Sequence, residues 1–264
     1  MLSRACTIVL ASPSRAALLA SIVLLVMPVE NFASPSRSNV VCRETLSSAR
    51  REQLAVKLRK ITGLRELKFD EDGILREGKE TSADGSVSAR QLIANSIHGR
   101  NVVVIEDASN RSDVAFAQVV PGRWKTRGAS GPPVFVVQID FVDFEQLVGD
   151  DLALEAFNVG WGFLHELEHA VNDSPDTISL GDTGECEAHI NQMRRECDLP
   201  ERADYFSTLL PLIGDSGVRT RFVRLAFEQR QTTTKKKRYW VIWDANVVGG
   251  LEQNQIAAYQ NRAR

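Results

Sequence analysis

The segment HELEH, residues 165–169, holds two of the four histidines of the chain. Histidines four apart on a helix lie on one face. His165 and His169 can therefore turn ring nitrogens toward one zinc ion about 2.0–2.1 Å away. Glu166, one step round from His165, reaches a water on the open coordination position without occupying it. Zinc lowers the pKa of that water, the carboxylate accepts its proton, and the nucleophile attacks a carbonyl polarised by the same ion. This is the chemistry of the HExxH motif. The competing reading is a solvated helix end with charges spaced for ordinary ion pairs.

A catalytic zinc centre of this kind needs a third protein ligand. A histidine at 175, preceded by a glycine at 172, is one known arrangement, but the chain has Pro175 and Asn172 there. The segment GDTGECEAHINQMRRE, residues 181–196, reads as a second helix and holds the candidates. Asp182 and Glu185 have capping-box spacing, which would occupy Glu185 at the helix start. Glu187 is then the preferred ligand, with Glu185 and His189 as alternatives. Glu187, Asn191 and Arg194 share one face, so Asn191 could orient the Glu187 carboxylate or a nearby imidazole. Arg194 and Tyr205 are candidates for stabilising an oxyanion. For Tyr205 the competing role is core packing.

With HExxH on a helix after a strand, and GE-x-EA-x-x-x-N-x-x-RRE-x-x-LPER-x-x-Y following, residues 133–205 resemble the zincin metallopeptidases of the glutamate-ligand (gluzincin-like) kind. They are most similar to the bacterial effector-like zinc metallopeptidase group. The resemblance implies a zinc-dependent endopeptidase with His165, His169 and Glu187 as ligands and Glu166 as base. It also implies that an edge strand beside the active-site helix pairs with an extended peptide, a role for which PVFVVQIDF, residues 133–141, is the natural candidate. Cys197 and Asp198 depart from the small residues expected at the helix end.

The elements that must position these groups read as α+β: a mixed sheet packed on a long helix carrying HExxH, then a second ligand-bearing helix. Leu46, Leu54, Leu58 and Ile61 predict a helix over 42–61 that stops at Gly63. A hairpin is expected around Asp72-Gly73, a helix over 86–98, and strands over 101–107, 113–120 and 133–141. The central helix is expected to run unbroken from Asp150 or Asp151 to Asn172, with Leu154, Phe157, Trp161 and Leu164 on its apolar face. Two closing strands flank QTTTKKK. The domain division is residues 1–33 as a signal peptide, 34–62 as linker and N-terminal helix, and 63–264 as a zincin-like domain.

Residues 1–33 have the parts of an export signal: Arg4 and Arg15, an apolar run over 16–26, then Pro28. The expectation is a periplasmic or secreted protein, free of the membrane once cleaved, with an uncleaved anchor as the alternative. The apolar run is short for a span of about 30 Å. Removing the signal removes Cys6 and leaves Cys42, Cys186 and Cys197. The last two, on one helix, are too far apart to pair, while Cys42 could reach either. A formal charge of −2 gives no bulk attraction to nucleic acid, and KKKR at 235–238 reads as a solvated hairpin tip. His98 reads as a helix-end partner. The expected partner is a protein or peptide substrate. The alternatives are a zincin-fold amidase or toxin, a non-catalytic zinc-binding module, and an interaction protein without metal.

Overall fold

In the computed structural model, residues 38–78, 82, 84–122, 131–210, 220–232 and 234–248 are described. The expected signal, residues 1–33, lies outside them. Among the described residues no helix is long and apolar enough to cross a membrane.

The chain is extended where the helix was expected to start. Strand β1 (Val40–Cys42) lies parallel to a later strand, and helix α1 (Ser48–Thr62) begins only after it. The delay has a local cause: the Ser47 hydroxyl accepts the Arg50 N–H at 3.3 Å and caps the helix. Gly63, at φ 72°, ends it. Strands β2 (Lys68–Phe69) and β3 (Leu75–Arg76) form the hairpin around Asp72-Gly73. Helix α2 (Val87–His98) follows, capped by Ser86, whose hydroxyl accepts the Ala89 N–H at 2.9 Å.

Strands β4 (Val102–Asp107), β5 (Ala117–Pro121) and β6 (Val134–Ile139) complete a four-stranded sheet in the order β1-β4-β6-β5. Only β5 runs antiparallel to its neighbour. The sheet corrects the sequence reading: β6 is interior, paired on both sides, and the edge beside the HELEH helix is β5. The reason is visible in composition. The apolar run of β6 suits a strand covered on both faces, whereas β5 carries Gln118 and ends in Pro121, residues an edge tolerates.

After helix α3 (Phe141–Glu145) and strand β7 (Val148–Gly149), the expected long helix is two: α4 (Asp151–Ala156) and α5 (Val159–Asn172). Phe157 leaves helical geometry, and Asn158 caps α5 by accepting the Gly160 N–H at 3.0 Å. Helix α6 (Gly184–Glu196), strands β8 (Glu201–Arg202) and β9 (Thr208–Leu209), and the long antiparallel hairpin β10 (Phe222–Arg230) and β11 (Lys236–Asp244) close the chain. β7, β8 and β9 join that hairpin in a second sheet. The architecture is mixed α+β.

Two cores result. In the first, Trp161, Leu164 and Leu167 of α5 are buried with Leu54 and Leu58 of α1, Ile93 of α2, and Val103, Ile105 and Ile139 of the first sheet. Helix α1 thus belongs to the central core. Gly160 permits the close approach, since a Cβ there would lie 2.8 Å from Lys57 Cβ. The second core gathers Phe157 with Val223, Leu225, Phe227, Val241 and Trp243. Trp240, on the opposite face of β11 from Trp243 as the alternation requires, sits under the Arg224 guanidinium at 4.0 Å. In the KKKR segment, Lys236 and Arg238 pair with Glu228.

Candidate metal centre

Helix α5 is buried on nearly every side, and the two histidines occupy the side that opens. His165 Nε2 and His169 Nε2 lie 3.2 Å apart. The third group at this point is Asp176. Its Oδ1 is 3.2 Å from His165 Nε2 and its Oδ2 is 3.3 Å from His169 Nε2. Two ligands bound at about 2.0–2.1 Å and at tetrahedral angles to one ion would be separated by roughly 3.3 Å. The three separations are of that size, the two to Asp176 running from its two different oxygens.

The hydrogen bonds set the tautomers. His169 Nδ1 lies 2.6 Å from the Ser174 carbonyl oxygen. Only a protonated Nδ1 can donate there, so the lone pair is on Nε2, toward Asp176. His165 Nδ1 lies 3.2 Å from Glu187 Oε2, which places its proton on the same side. Asp176 Oδ1 is buried and accepts no hydrogen bond among the described residues, despite its closeness to His165. Two imidazole lone pairs and an orphaned carboxylate oxygen converging at ion-ligand spacing fit a divalent metal, and the nitrogen-and-oxygen donor set suits zinc.

Asp176 arrives by a route the sequence reading did not weigh. Helix α5 ends at Asp173 in the left-handed conformation, φ 55°. The chain folds back, and Asp176 forms an isolated bridge with Gly184 at the start of α6. The available signal was the short polar stretch after the motif, with Asp173 able to adopt the left-handed turn.

Glu187, the preferred third ligand, lies outside the cluster. It is fully buried. Oε1 accepts from Arg194 Nη1, and Oε2 accepts from Arg202 Nη1 at 3.0 Å and faces His165 Nδ1. The carboxylate thus orients a histidine ligand from behind. Burial alone would raise its pKa, but the two guanidiniums and His165 hold it well below the usual carboxylate range. Glu185 is exposed and the capping box is not formed: Asp182 Oδ1 accepts the Gly184 N–H instead. His189 pairs with the buried Glu168 at 2.6 Å, away from the centre. Asn191 does act on this network, accepting from Arg194 Nη1 at 2.8 Å and from the Arg202 N–H at 2.7 Å.

Of the two oxyanion candidates, Arg194 lies between Trp161 and Phe227 and serves Glu187. Tyr205 belongs to the site rather than the core. Its hydroxyl donates to Asp176 Oδ2 at 2.6 Å, and its ring lies over His165 at 6.2 Å. Burial and the Asp176 charge keep that hydroxyl protonated. Glu166 is buried beside the histidines, and burial raises its pKa. It also accepts the Val119 N–H of β5.

Cys186, a disulfide candidate from the sequence, lies at the same centre. Its thiol is buried, 3.6 Å from His165 Nδ1, and within 4.8 Å of ligand atoms of His165, His169 and Asp176. It faces the nitrogen that points away from the convergence point. Cys42, Cys186 and Cys197 are all free thiols, and burial pushes the Cys42 thiol up to about 12.

Without metal, burial works against charging His165 and His169, but the nearby Asp176 carboxylate and Cys186 thiol outweigh it and raise both; His169 reaches about 10. Asp176 is driven far below its ordinary value by the same pair, against the effect of burial. A metal ion at this place must displace a proton. Comparison of the chain with protein families, curated proteins and solved structures gives no match.

Proposed function

We propose that the chain is a zinc-dependent hydrolase with a zincin-like centre, and that its reaction is the hydrolysis of peptide bonds within a protein or peptide substrate. The convergence of His165 Nε2, His169 Nε2 and Asp176 within 3.2–3.3 Å carries this reading. These three residues would hold the ion. When bound, zinc would supply a Lewis acid for the substrate carbonyl and acidify a coordinated water. Glu166 is the base in this scheme: its buried carboxylate has a raised proton affinity and sits one residue from a ligand. Glu187 keeps the His165 proton on Nδ1. Among the described residues β5 pairs with a strand on one side only, and its outer side would offer main-chain groups to an extended peptide. Export, with action on proteins outside the cytoplasm, is the part of this reading that rests on residues 1–33.

A second reading is favoured by one observation, the Cys186 thiol in the same cluster. Four protein ligands close a zinc site and make it structural. The thiol lies 3.6 Å from His165 Nδ1, the nitrogen turned away from Asp176, and it also interacts with His169, so Cys186→Ala decides between the closed and the open centre.

The test is metal content by elemental mass spectrometry on the protein without a histidine tag, beside Glu166→Gln and Cys186→Ala. One zinc per chain in all three, with peptide hydrolysis lost only in Glu166→Gln, is the expected pattern. Loss of zinc in Cys186→Ala would establish the closed site, and no zinc in any of them would remove the metal.

A further inference from the structure

Beside His165 and Glu166 a cavity of about 130 Å³ opens between the two cores. One water needs about 10–15 Å³ of such space, so the cavity has room for a side chain. Its walls include Phe116, Phe144, Phe157 and Trp161; Arg194 and Arg202 line it as well. The wall is built at a cost. Phe116 holds φ 61°, a conformation a bulky residue rarely adopts. It stays there because its N–H donates to Asp143 Oδ2 at 3.0 Å and its ring packs on Phe157 and Trp243, each at 5.1 Å. Strain of this kind gathers at binding sites.

At the arginine-bearing part Glu187 is one carboxylate between two guanidiniums; the other carboxylate of the cavity wall, Glu166, faces the histidines. Arg194 is 2% exposed. Its Nε donates to the Ala156 carbonyl and its Nη1 to Glu187 and Asn191, but Nη2 has no hydrogen-bond partner among the described residues. Nη2 is not sealed in by its neighbours, and the void its residue borders is this cavity. Arg202 uses one N–H on each of Nε, Nη1 and Nη2, so one N–H remains on each terminal nitrogen.

The geometry points to a carboxylate receptor: the cavity takes the substrate residue next to the scissile bond, with its apolar stem against the aromatic walls and its carboxylate on the free Arg194 and Arg202 donors. The carboxylate belongs either to an acidic side chain or to the C-terminus of the peptide. This assignment of substrate class rests on the hydrolase reading above.

The test is binding measured by protein-observed NMR with three small probes. N-acetylglutamic acid α-amide carries only a side-chain carboxylate, N-acetyl-leucine only a terminal one, and N-acetylglutamine amide none. Each is titrated into metal-free and zinc-supplied protein. One of the two carboxylates should bind about 10- to 100-fold more tightly than the neutral amide, the range of a charge-assisted bond. Which one it is identifies the source. The margin should survive without zinc and vanish in Arg194→Gln; should that variant not fold, Arg202→Gln serves the same purpose. Equal binding of all three probes overturns the inference, as does a margin that exists only with zinc, because the ion would then hold the carboxylate. If the margin is present but no peptide is hydrolysed, the peptidase reading fails alone. If peptides are hydrolysed with no acid preference and no margin, this inference fails alone.

Discussion

Glu187 Oε2 stands 3.2 Å from His165 Nδ1, on the side of the ring away from Asp176. The contact makes Glu187 the outer member of a carboxylate–histidine pair, and it decides which imidazole nitrogen is free. Glu187 can do this because Arg194 and Arg202 keep it ionised inside the protein.

Glu187→Gln keeps the shape and removes the charge. The buried Arg194 and the half-buried Arg202 then lose their counter-charge, which costs about 3–5 kcal/mol of stability for the buried one. Zinc affinity should fall about 10- to 100-fold, the usual effect of losing an outer carboxylate. Denaturant unfolding and competition with a chromophoric chelator measure the two. Unchanged stability would contradict the burial of this pair.

On the zinc reading Asp176→Ala removes a direct ligand, so its loss of zinc affinity should exceed that of Glu187→Gln, to more than about 100-fold. The fold should survive, since Asp176 is part-exposed and bridges the α5–α6 loop rather than the core. Glu185→Gln and His189→Ala should keep zinc binding within a few-fold. If either of them, and not Asp176→Ala, abolished binding, the assignment of the third ligand would be wrong.

Gly184 holds Asp176 in place through its bridge. It has φ 78°, and a Cβ there would stand 2.6 Å from the Thr177 backbone nitrogen. Gly184→Ala should cost roughly 1–2 kcal/mol from the left-handed backbone alone, and it should weaken zinc binding by displacing Asp176. The control is Gly181→Ala. Gly181 is also at positive φ, but nothing lies within 4 Å of its Cβ, so strain without displacement should leave zinc binding intact.

HELEH was legible because i, i+4 spacing on a helix is local geometry, and Asn191 was legible as a supporting group for the same reason. Asp176 was not. Its position depends on a left-handed turn at Asp173 and a bridge to Gly184, and no periodicity encodes where such a loop returns. Glu187 was misplaced because a helix face can be read from spacing, whereas the depth of that face cannot. The break between α4 and α5 did have a signal in Asn158, a capping residue, which the apolar spacing across it obscured. The exchange of edge and centre between β5 and β6 was also readable, since the most continuous apolar run suits the most enclosed strand.

Glu196 offers a test of the fold away from the metal. Its Oε2 accepts from the Ser86 hydroxyl at 2.6 Å and the Ser88 N–H at 2.9 Å, and its Oε1 accepts from the Ser88 hydroxyl at 2.6 Å, tying α6 to the N-terminus of α2. Partial burial pushes its pKa up, but the serine donors outweigh that and bring it to about 2, against an ordinary 4.5. The folded value is depressed, so the charged form stabilises the fold above about pH 4.5, and that contribution is lost as pH falls through about 2. Because Glu196 is largely exposed, its weight is that of an anion at a helix N-terminus, about 0.3–1 kcal/mol. Glu196→Gln should therefore be less stable than the parent at neutral pH, by that amount. The difference should shrink steadily between about pH 4.5 and 2. Denaturant unfolding of both proteins at a series of pH values measures it, and a difference independent of pH would mean that the carboxylate acts through shape rather than charge.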